Sequence, residues 1–178
     1  METRQLYDIV THSPEETMAF GGKLAAHFRP AAVVLLEGDL GSGKTTLTKG
    51  VAVGLGAARE EEVTSPSFTL VHEYFRDSAA GTQAGSNRVF HVDLYRIEDD
   101  REIRTLGLDE IFNSGSTVMI EWGERLREQP PPPFFKVRLE HLGDTRRRIQ
   151  VTQFADDVAR PDLSGSGNPR EINPECIS

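Results

Sequence analysis

The feature that most constrains the fold is a glycine-rich segment at residues 38–45, which follows a short apolar run at 33–37 and reads G-x-x-x-x-G-K-T. Glycines let the backbone curl so that successive N–H groups point at one phosphate group. Lys44 then supplies a cation for the phosphate oxygens, and Thr45 supplies a hydroxyl for Mg²⁺. The pattern predicts a P-loop between a buried strand and a helix at 44–55, whose positive N-terminus lies under the phosphates.

The residues of this loop are the first candidates for nucleotide contact. We also expect its lysine, Lys44, to be partly solvated. The predicted contacts of the loop are Asp39, Leu40, Gly41, Ser42, Gly43, Lys44, Thr45 and Thr46.

Composition limits the possible functions. The chain has 178 residues, a formal net charge of −8 and a sequence pI of about 5.2. An acidic chain is poorly suited to bind nucleic acid alone, because phosphate affinity depends on clustered Lys and Arg. The one cysteine provides neither a disulfide framework nor a cysteine metal site. Because no segment resembles a membrane span or a signal peptide, we expect a cytoplasmic protein without membrane contact.

The remaining pattern predicts a three-layer α/β fold with a mixed, mostly parallel sheet and a C-terminal β-hairpin. We expect one ATPase domain over residues 1–155, a flexible connection at 77–87 and a disordered tail at 156–178. Helices are predicted at 11–28 and, broken at Gly107, at 99–112; strands are predicted at 68–75, 88–95, 117–121, 134–141 and 147–154.

Two acidic residues end predicted strands and are candidates for the second acidic group that a P-loop needs near Mg²⁺. Glu121 follows the apolar run Val118 to Ile120 and better matches a metal-associated Walker B position. Asp93 ends another strand, and we expect it near the γ-phosphate or the attacking water. A solvated carboxylate at a strand end is the alternative interpretation of each.

Other polar residues have two interpretations. Thr64 and Ser65 fit either a nucleotide-sensing switch or an ordinary Ser/Pro turn. The only tryptophan, Trp122, either reports on nucleotide binding or fills the core. His91 has no neighbours typical of a catalytic triad, so a packed or hydrogen-bonded histidine is favoured over a general base.

Two further residues are candidates for nucleotide contact. Ser13 precedes Pro14 and two glutamates, the pattern of a helix N-cap. Arg146 belongs to the Arg146–Arg148 cluster, which fits contact with phosphate, tRNA or an acidic partner, or protection of a sheet edge.

Together, four segments resemble the bacterial TsaE (YjeE) family in order and spacing, over residues 5–152. They are the P-loop at 36–46, Thr64-Ser65-Pro66-Ser67-Phe68, His91-Val92-Asp93-Leu94-Tyr95-Arg96 and Ile120-Glu121-Trp122. This resemblance implies a small ATPase subunit required for threonylcarbamoyladenosine modification of tRNAs next to the anticodon.

The resemblance also implies roles for the matched residues. Lys44 and the loop amides would hold the phosphates of ATP, the substrate, while Thr45 and Glu121 serve Mg²⁺. Asp93 would lie in the catalytic region, so Lys44, Glu121 and Asp93 are the catalytic candidates. Thr64 and Ser65 would lie in a switch segment. The implied partners are the TsaD and TsaB proteins, with tRNA reached only through their complex.

Two other functions are compatible with a P-loop. A free-standing small-molecule kinase is the main alternative, although the sequence shows no arginine-rich lid segment. A GTP-dependent switch is less favoured, because the guanine-specific pattern N/T-K-x-D is absent from the sequence.

Overall fold

The computed structural model describes residues 1–28, 31–66, 68–76 and 88–156. The predicted connection at 77–87 and the predicted tail beyond Asp156 lie outside these residues. Within the described ranges, no helix has the length and apolar character needed to cross a membrane.

Most predicted elements are present, with some changes at their ends. The strands are β1 (Glu2–Thr11), β2 (Val33–Glu37), β3 (Val71–Phe75), β4 (Arg88–Asp93), β5 (Thr117–Glu121), β6 (Phe134–His141) and β7 (Arg147–Ala155). The helices are α1 (Pro14–Leu24), α2 (Lys44–Gly54), α3 (Asp100–Thr105) and α4 (Leu108–Phe112), with short 3₁₀ turns at Glu60–Glu62 and Gly123–Arg125.

The strands form one mixed sheet in the order β1-β7-β6-β2-β5-β4-β3. Strands β6, β2, β5 and β4 are parallel to one another. Strands β7 and β3 run in the opposite direction, and β1 is antiparallel to β7. The predicted α/β class and the C-terminal hairpin of β6 and β7 are therefore confirmed. The P-loop strand β2 lies at the centre of the sheet, where both of its edges are paired.

The core has two parts, one on each face of the sheet. Helices α1 and α2 pack on one face, where Leu24 and Leu47 join alternate residues of β2 such as Val34. On the other face, α3 and α4 cover the intervening residues, among them Leu35 of β2. This alternation gives the three-layer arrangement that the sequence predicts.

Strand β1 was not predicted. It pairs with β7 from Glu2 opposite Ala155 to Thr11 opposite Arg147, and the register shifts between Gln5 and Tyr7. Such a bulge breaks the strict alternation of apolar and polar residues by which a strand is recognised. Because β1 continues to Thr11, helix α1 begins at Pro14 rather than at residue 11, with Ser13 as its N-cap.

Helices α1 and α2 cross at very short range through glycines. A Cβ atom on Gly50 of α2 would lie 2.0 Å from the Met18 carbonyl oxygen of α1, and one on Gly21 would lie 2.4 Å from the Leu47 carbonyl oxygen. Backbone atoms cannot move aside as side chains do. The crossing therefore requires glycine at both positions, and it sets how α2, with the P-loop at its start, sits on the sheet.

We expect Gly50→Ala to lower the free energy of unfolding by about 1–3 kcal/mol, the usual cost of forcing extra atoms into a packed core. Urea unfolding followed by circular dichroism measures the change. Gly22→Ala is the matched control, because its Cβ would lie an ordinary 3.7 Å from the Gly50 carbonyl oxygen. Alanine also favours helix over glycine by about 1 kcal/mol. Equal stability of the two variants would contradict this account of the crossing.

Candidate nucleotide site

The loop after β2 has the backbone conformation of a phosphate-binding loop. Gly38, Gly41 and Gly43 all have positive φ, at 138°, 76° and 103°, values that other residues rarely adopt. At Gly38 glycine is also required by space, because a Cβ there would lie 2.2 Å from the Leu139 carbonyl oxygen of β6. Gly43 is the N-cap of α2, so the loop delivers the chain directly to the helix N-terminus.

Lys44 lies inside this loop. Its Nζ donates to the carbonyl oxygens of Gly38 at 2.6 Å and Asp39 at 2.8 Å, and it lies 4.0 Å from the centre of the Trp122 ring. The residue is only 4% exposed, so the expectation of a partly solvated lysine is wrong. The loop carbonyls and the indole take the place of water around the ammonium group.

Burial lowers the pKa of Lys44, because the charged form loses hydration, while nearby carboxylates, Glu121 first among them, act in the opposite direction. The loop thus holds a cation that is largely removed from water. Such a cation attracts a phosphate more strongly than a hydrated one would.

Thr45, in the first turn of α2, is in direct contact with Glu121, the last residue of β5. The Thr45 hydroxyl donates to Oε1 of Glu121 at 2.7 Å. The same Oε1 lies 2.8 Å from Nε2 of His91. Glu121 is 4% exposed and His91 is fully buried. The structure therefore brings together the two residues predicted to serve Mg²⁺, and His91 is a hydrogen-bonded core histidine, as the sequence analysis favours.

Asp93 lies beside Glu121, because the two residues are in register on the parallel strands β4 and β5. Its Oδ2 accepts from the Ser65 hydroxyl at 2.7 Å, and its Oδ1 accepts from the Tyr95 backbone N–H at 2.9 Å. Asp93 is 3% exposed, so the alternative of a solvated carboxylate is wrong for this residue, as it is for Glu121.

The segment that contains Thr64 and Ser65 is tied to the sheet. The Tyr74 hydroxyl donates to the Thr64 carbonyl oxygen at 3.1 Å and accepts from the Thr64 N–H at 3.3 Å. Burial raises the pKa of this Tyr74 hydroxyl, although its bonds to Thr64 act in the opposite direction. Together with the Ser65–Asp93 bond, these contacts place the segment against the two acidic residues.

Beyond that segment, Phe68 is 86% exposed, and the Arg96 guanidinium lies 4.4 Å from the centre of its ring. At the tip of the P-loop, Leu40 is 74% exposed. Exposed apolar side chains thus belong to both the P-loop and the segment after Ser65.

Trp122 follows Glu121 with a positive φ of 62°. Its ring is half-buried, and it lies 5.0 Å from the Tyr95 ring in addition to its contact with Lys44. A tryptophan in contact with the P-loop lysine is well placed to respond to a nucleotide, which remains a prediction.

The contacts described for the last two candidates, Ser13 and Arg146, are to their own helix and turn, and their part in nucleotide contact stays a prediction. The contacts described for Ser13 are to its own helix, where its Oγ accepts from the Glu16 N–H at 3.2 Å and its carbonyl oxygen accepts from Thr17. Arg146 is exposed in the β6–β7 turn and donates to Leu142 O at 3.4 Å. Its neighbour Arg147 instead donates to Gly41 O at 3.1 Å, a P-loop contact that the sequence analysis missed. The cluster was the available signal, but sequence cannot show which of three consecutive arginines points at the loop.

The donor set fits Mg²⁺ that is shared with phosphate groups. A hydroxyl and two carboxylates, from Thr45, Glu121 and Asp93, lie at the end of the P-loop. Mg²⁺ prefers oxygen ligands and is commonly held by one or two carboxylates together with substrate phosphates. The described part of the chain contains no group of three or more His, Cys, Asp or Glu side chains that could hold a metal ion.

Comparisons with known proteins find a family model and relatives that match most of the chain. The family model described as "Threonylcarbamoyl adenosine biosynthesis protein TsaE" matches residues 11–149. A Bacillus subtilis relative, named tRNA threonylcarbamoyladenosine biosynthesis protein TsaE, is 42% identical over 142 residues, covering 80% of this chain and 82% of the relative. A Haemophilus influenzae protein of the same name is 36% identical over 152 residues, covering 82% and 90%.

A solved structure is also similar. The crystal structure of YdiB from Bacillus subtilis matches with a TM-score of 0.66 and 37% sequence identity, covering 86% of this chain and 88% of that one.

Proposed function

The chain belongs to the TsaE family, and we propose that it is a Mg²⁺-dependent ATPase that acts in the threonylcarbamoyladenosine modification of tRNA next to the anticodon. The relatives carry names from that biosynthesis, which favours this function over a free-standing small-molecule kinase. We also propose that the protein acts in the cytoplasm.

The observation that supports the proposal is the junction of the P-loop with two buried acidic residues. Lys44 lies within the loop, and Thr45 contacts Glu121, which is in register with Asp93. Buried carboxylates require polar partners or a cation, because an isolated charge in the interior is strongly unfavourable. The two carboxylates are therefore suited to face a metal ion bound to phosphate groups.

Each part of this arrangement has a proposed task. Lys44 and the loop amides bind the β- and γ-phosphates, and Thr45 and Glu121 hold Mg²⁺, which when bound neutralises charge on the phosphate oxygens. Asp93, beside Glu121 at the ends of the parallel strands, accepts hydrogen bonds and would orient the attacking water. The Ser65 hydroxyl, which donates to Asp93, links the switch segment to that carboxylate.

We propose TsaD and TsaB as partners that complete the site. Within the chain itself, we consider Arg96 a candidate for an arginine finger, the cation that neutralises charge on the transferred phosphoryl group. Its guanidinium lies over the Phe68 ring. Phe68 and Leu40, one after the segment of Thr64 and Ser65 and one in the P-loop, are largely exposed, and we propose that a partner covers both. A partner that covers them would exclude water and release Arg96. With a net charge of −8, the chain would meet tRNA only through the complex.

We expect the isolated chain to hydrolyse ATP slowly and the rate to rise when TsaD and TsaB are added. Steady-state ADP formation measures both rates, and ADP formed without phosphate release when nucleosides or sugars are added as acceptors would support the kinase alternative. Phe68→Ala is expected to reduce the stimulation, whereas Phe75→Ala, which removes a 49% exposed phenylalanine of β3, serves as the control. Fast hydrolysis by the chain alone, unchanged by the partners, would contradict the proposal.

A further inference from the structure

We propose that His91 is a positioning residue that holds the Glu121 carboxylate in place for Mg²⁺ binding. The inference rests on the proposed function in one respect, namely that Glu121 and Thr45 serve the metal.

His91 occupies a position where an apolar residue would ordinarily lie. It is on β4 between the core residue Val89 and the site residue Asp93, with Met119 as its partner on β5. Val89 and Met119 both belong to the core under α1 and α2, and His91 itself is 0% exposed. Burying an imidazole there is unfavourable unless its nitrogens are hydrogen-bonded.

The hydrogen bond of His91 goes to the acidic residue Glu121 of the site. Nε2 lies 2.8 Å from Oε1 of Glu121, and because a carboxylate can only accept, Nε2 carries the hydrogen. Nδ1 is buried and has no hydrogen-bond partner among the described residues. The ring is thus held to the site by one hydrogen bond, while its packing, which includes the Tyr74 ring 6.4 Å away, would be served equally well by an apolar side chain.

The contact matters most when the metal is bound. Oε1 of Glu121 accepts from both His91 and the Thr45 hydroxyl. Thr45 can serve the metal through its oxygen while its O–H still donates to Glu121, whereas His91 holds the carboxylate from the buried side and is not itself a candidate ligand. Residues that hydrogen-bond to a metal-binding side chain fix its orientation, and their loss typically weakens metal affinity about 10- to 100-fold.

A pair of substitutions tests the role of the hydrogen bond. His91→Leu fills the site without a donor, whereas the amide of His91→Gln can reach the place of Nε2. With ADP present, Mg²⁺ is titrated and followed by fluorescence of the only tryptophan, Trp122, which lies beside Lys44. We expect His91→Leu to weaken apparent Mg²⁺ affinity about 10-fold or more, His91→Gln to restore most of it, and ADP affinity in EDTA to remain within about twofold of wild type in both.

A double variant with Glu121 distinguishes the proposed positioning role of His91 from a purely structural one. In a Glu121→Gln background, His91→Leu should cause no further change in Mg²⁺ affinity, because the carboxylate that it positions is gone. If His91→Leu does not fold, His91→Asn makes the same test, since its amide is too short to reach the place of Nε2.

Wild-type Mg²⁺ affinity in His91→Leu or His91→Asn would overturn the inference. Failure of the wild-type chain to bind ADP with Mg²⁺ would instead overturn the proposed function.

Discussion

Lys44→Ala is expected to reduce ATP affinity and hydrolysis by about 100-fold or more, because the variant loses the charge-assisted contact to the phosphates. In the structure the ammonium group lies within the loop, 2.6 Å and 2.8 Å from two of its carbonyl oxygens. Removing it leaves those carbonyls facing one another and takes the cation away from the place where phosphate would bind. Isothermal titration with a non-hydrolysable ATP analogue measures the affinity.

Lys49→Ala is the matched control for this experiment, because Lys49 lies five residues further along the same helix α2. We expect its affinity for the analogue to stay within about twofold of wild type. Since Lys44 is buried, its removal is also expected to lower stability, so thermal unfolding of both variants is recorded beside the titration. ATP affinity equal to wild type in folded Lys44→Ala would refute its role in phosphate binding.

Glu121→Gln is expected to slow Mg²⁺-dependent hydrolysis by about 100-fold or more while changing nucleotide binding in EDTA much less. The substitution keeps the shape of the side chain and an oxygen that can accept from Thr45 and His91, but it removes the negative charge. Single-turnover hydrolysis at a series of Mg²⁺ concentrations measures the effect.

Glu128→Gln removes an exposed carboxylate beyond the same strand and serves as the control. If Glu121→Gln hydrolyses ATP with the rate and Mg²⁺ dependence of wild type, the metal role moves to Asp93, its neighbour in register.

The sequence predicted the fold best where two local signals coincide. The P-loop has a β-branched apolar strand before it and a helical pattern after it, and both elements are present at β2 and α2. The hairpin of β6 and β7 alternates regularly around Gly143, and it too is present. Strand β1 was missed because its bulge between Gln5 and Tyr7 interrupts the alternation, and because it is stabilised by pairing with a strand more than a hundred residues away.

The arrangement of the candidate site was less accessible to sequence reasoning. The acidic residues were identified from their places at strand ends, but their proximity depends on the order of the strands. That order also decides that His91 reaches Glu121 from the neighbouring strand, whereas the sequence shows only a histidine in an apolar run. The burial of Lys44 depends on Trp122, which is distant along the chain. Which arginine touches Gly41 depends on the twist of the hairpin.

The position of β2 at the centre of the sheet has a consequence for how the protein is made. Both strands that flank it, β5 and β6, come from the later part of the chain. As the ribosome releases the polypeptide, the P-loop emerges before both of these strands, so β2 at first has neither of its two neighbours. Gly38 meets Leu139 only after β6 has left the exit tunnel. The nucleotide site is therefore completed only after β6 has been made, although its signature motif leaves the ribosome before both flanking strands, and we expect a nascent chain that stops before β6 to lack the assembled site.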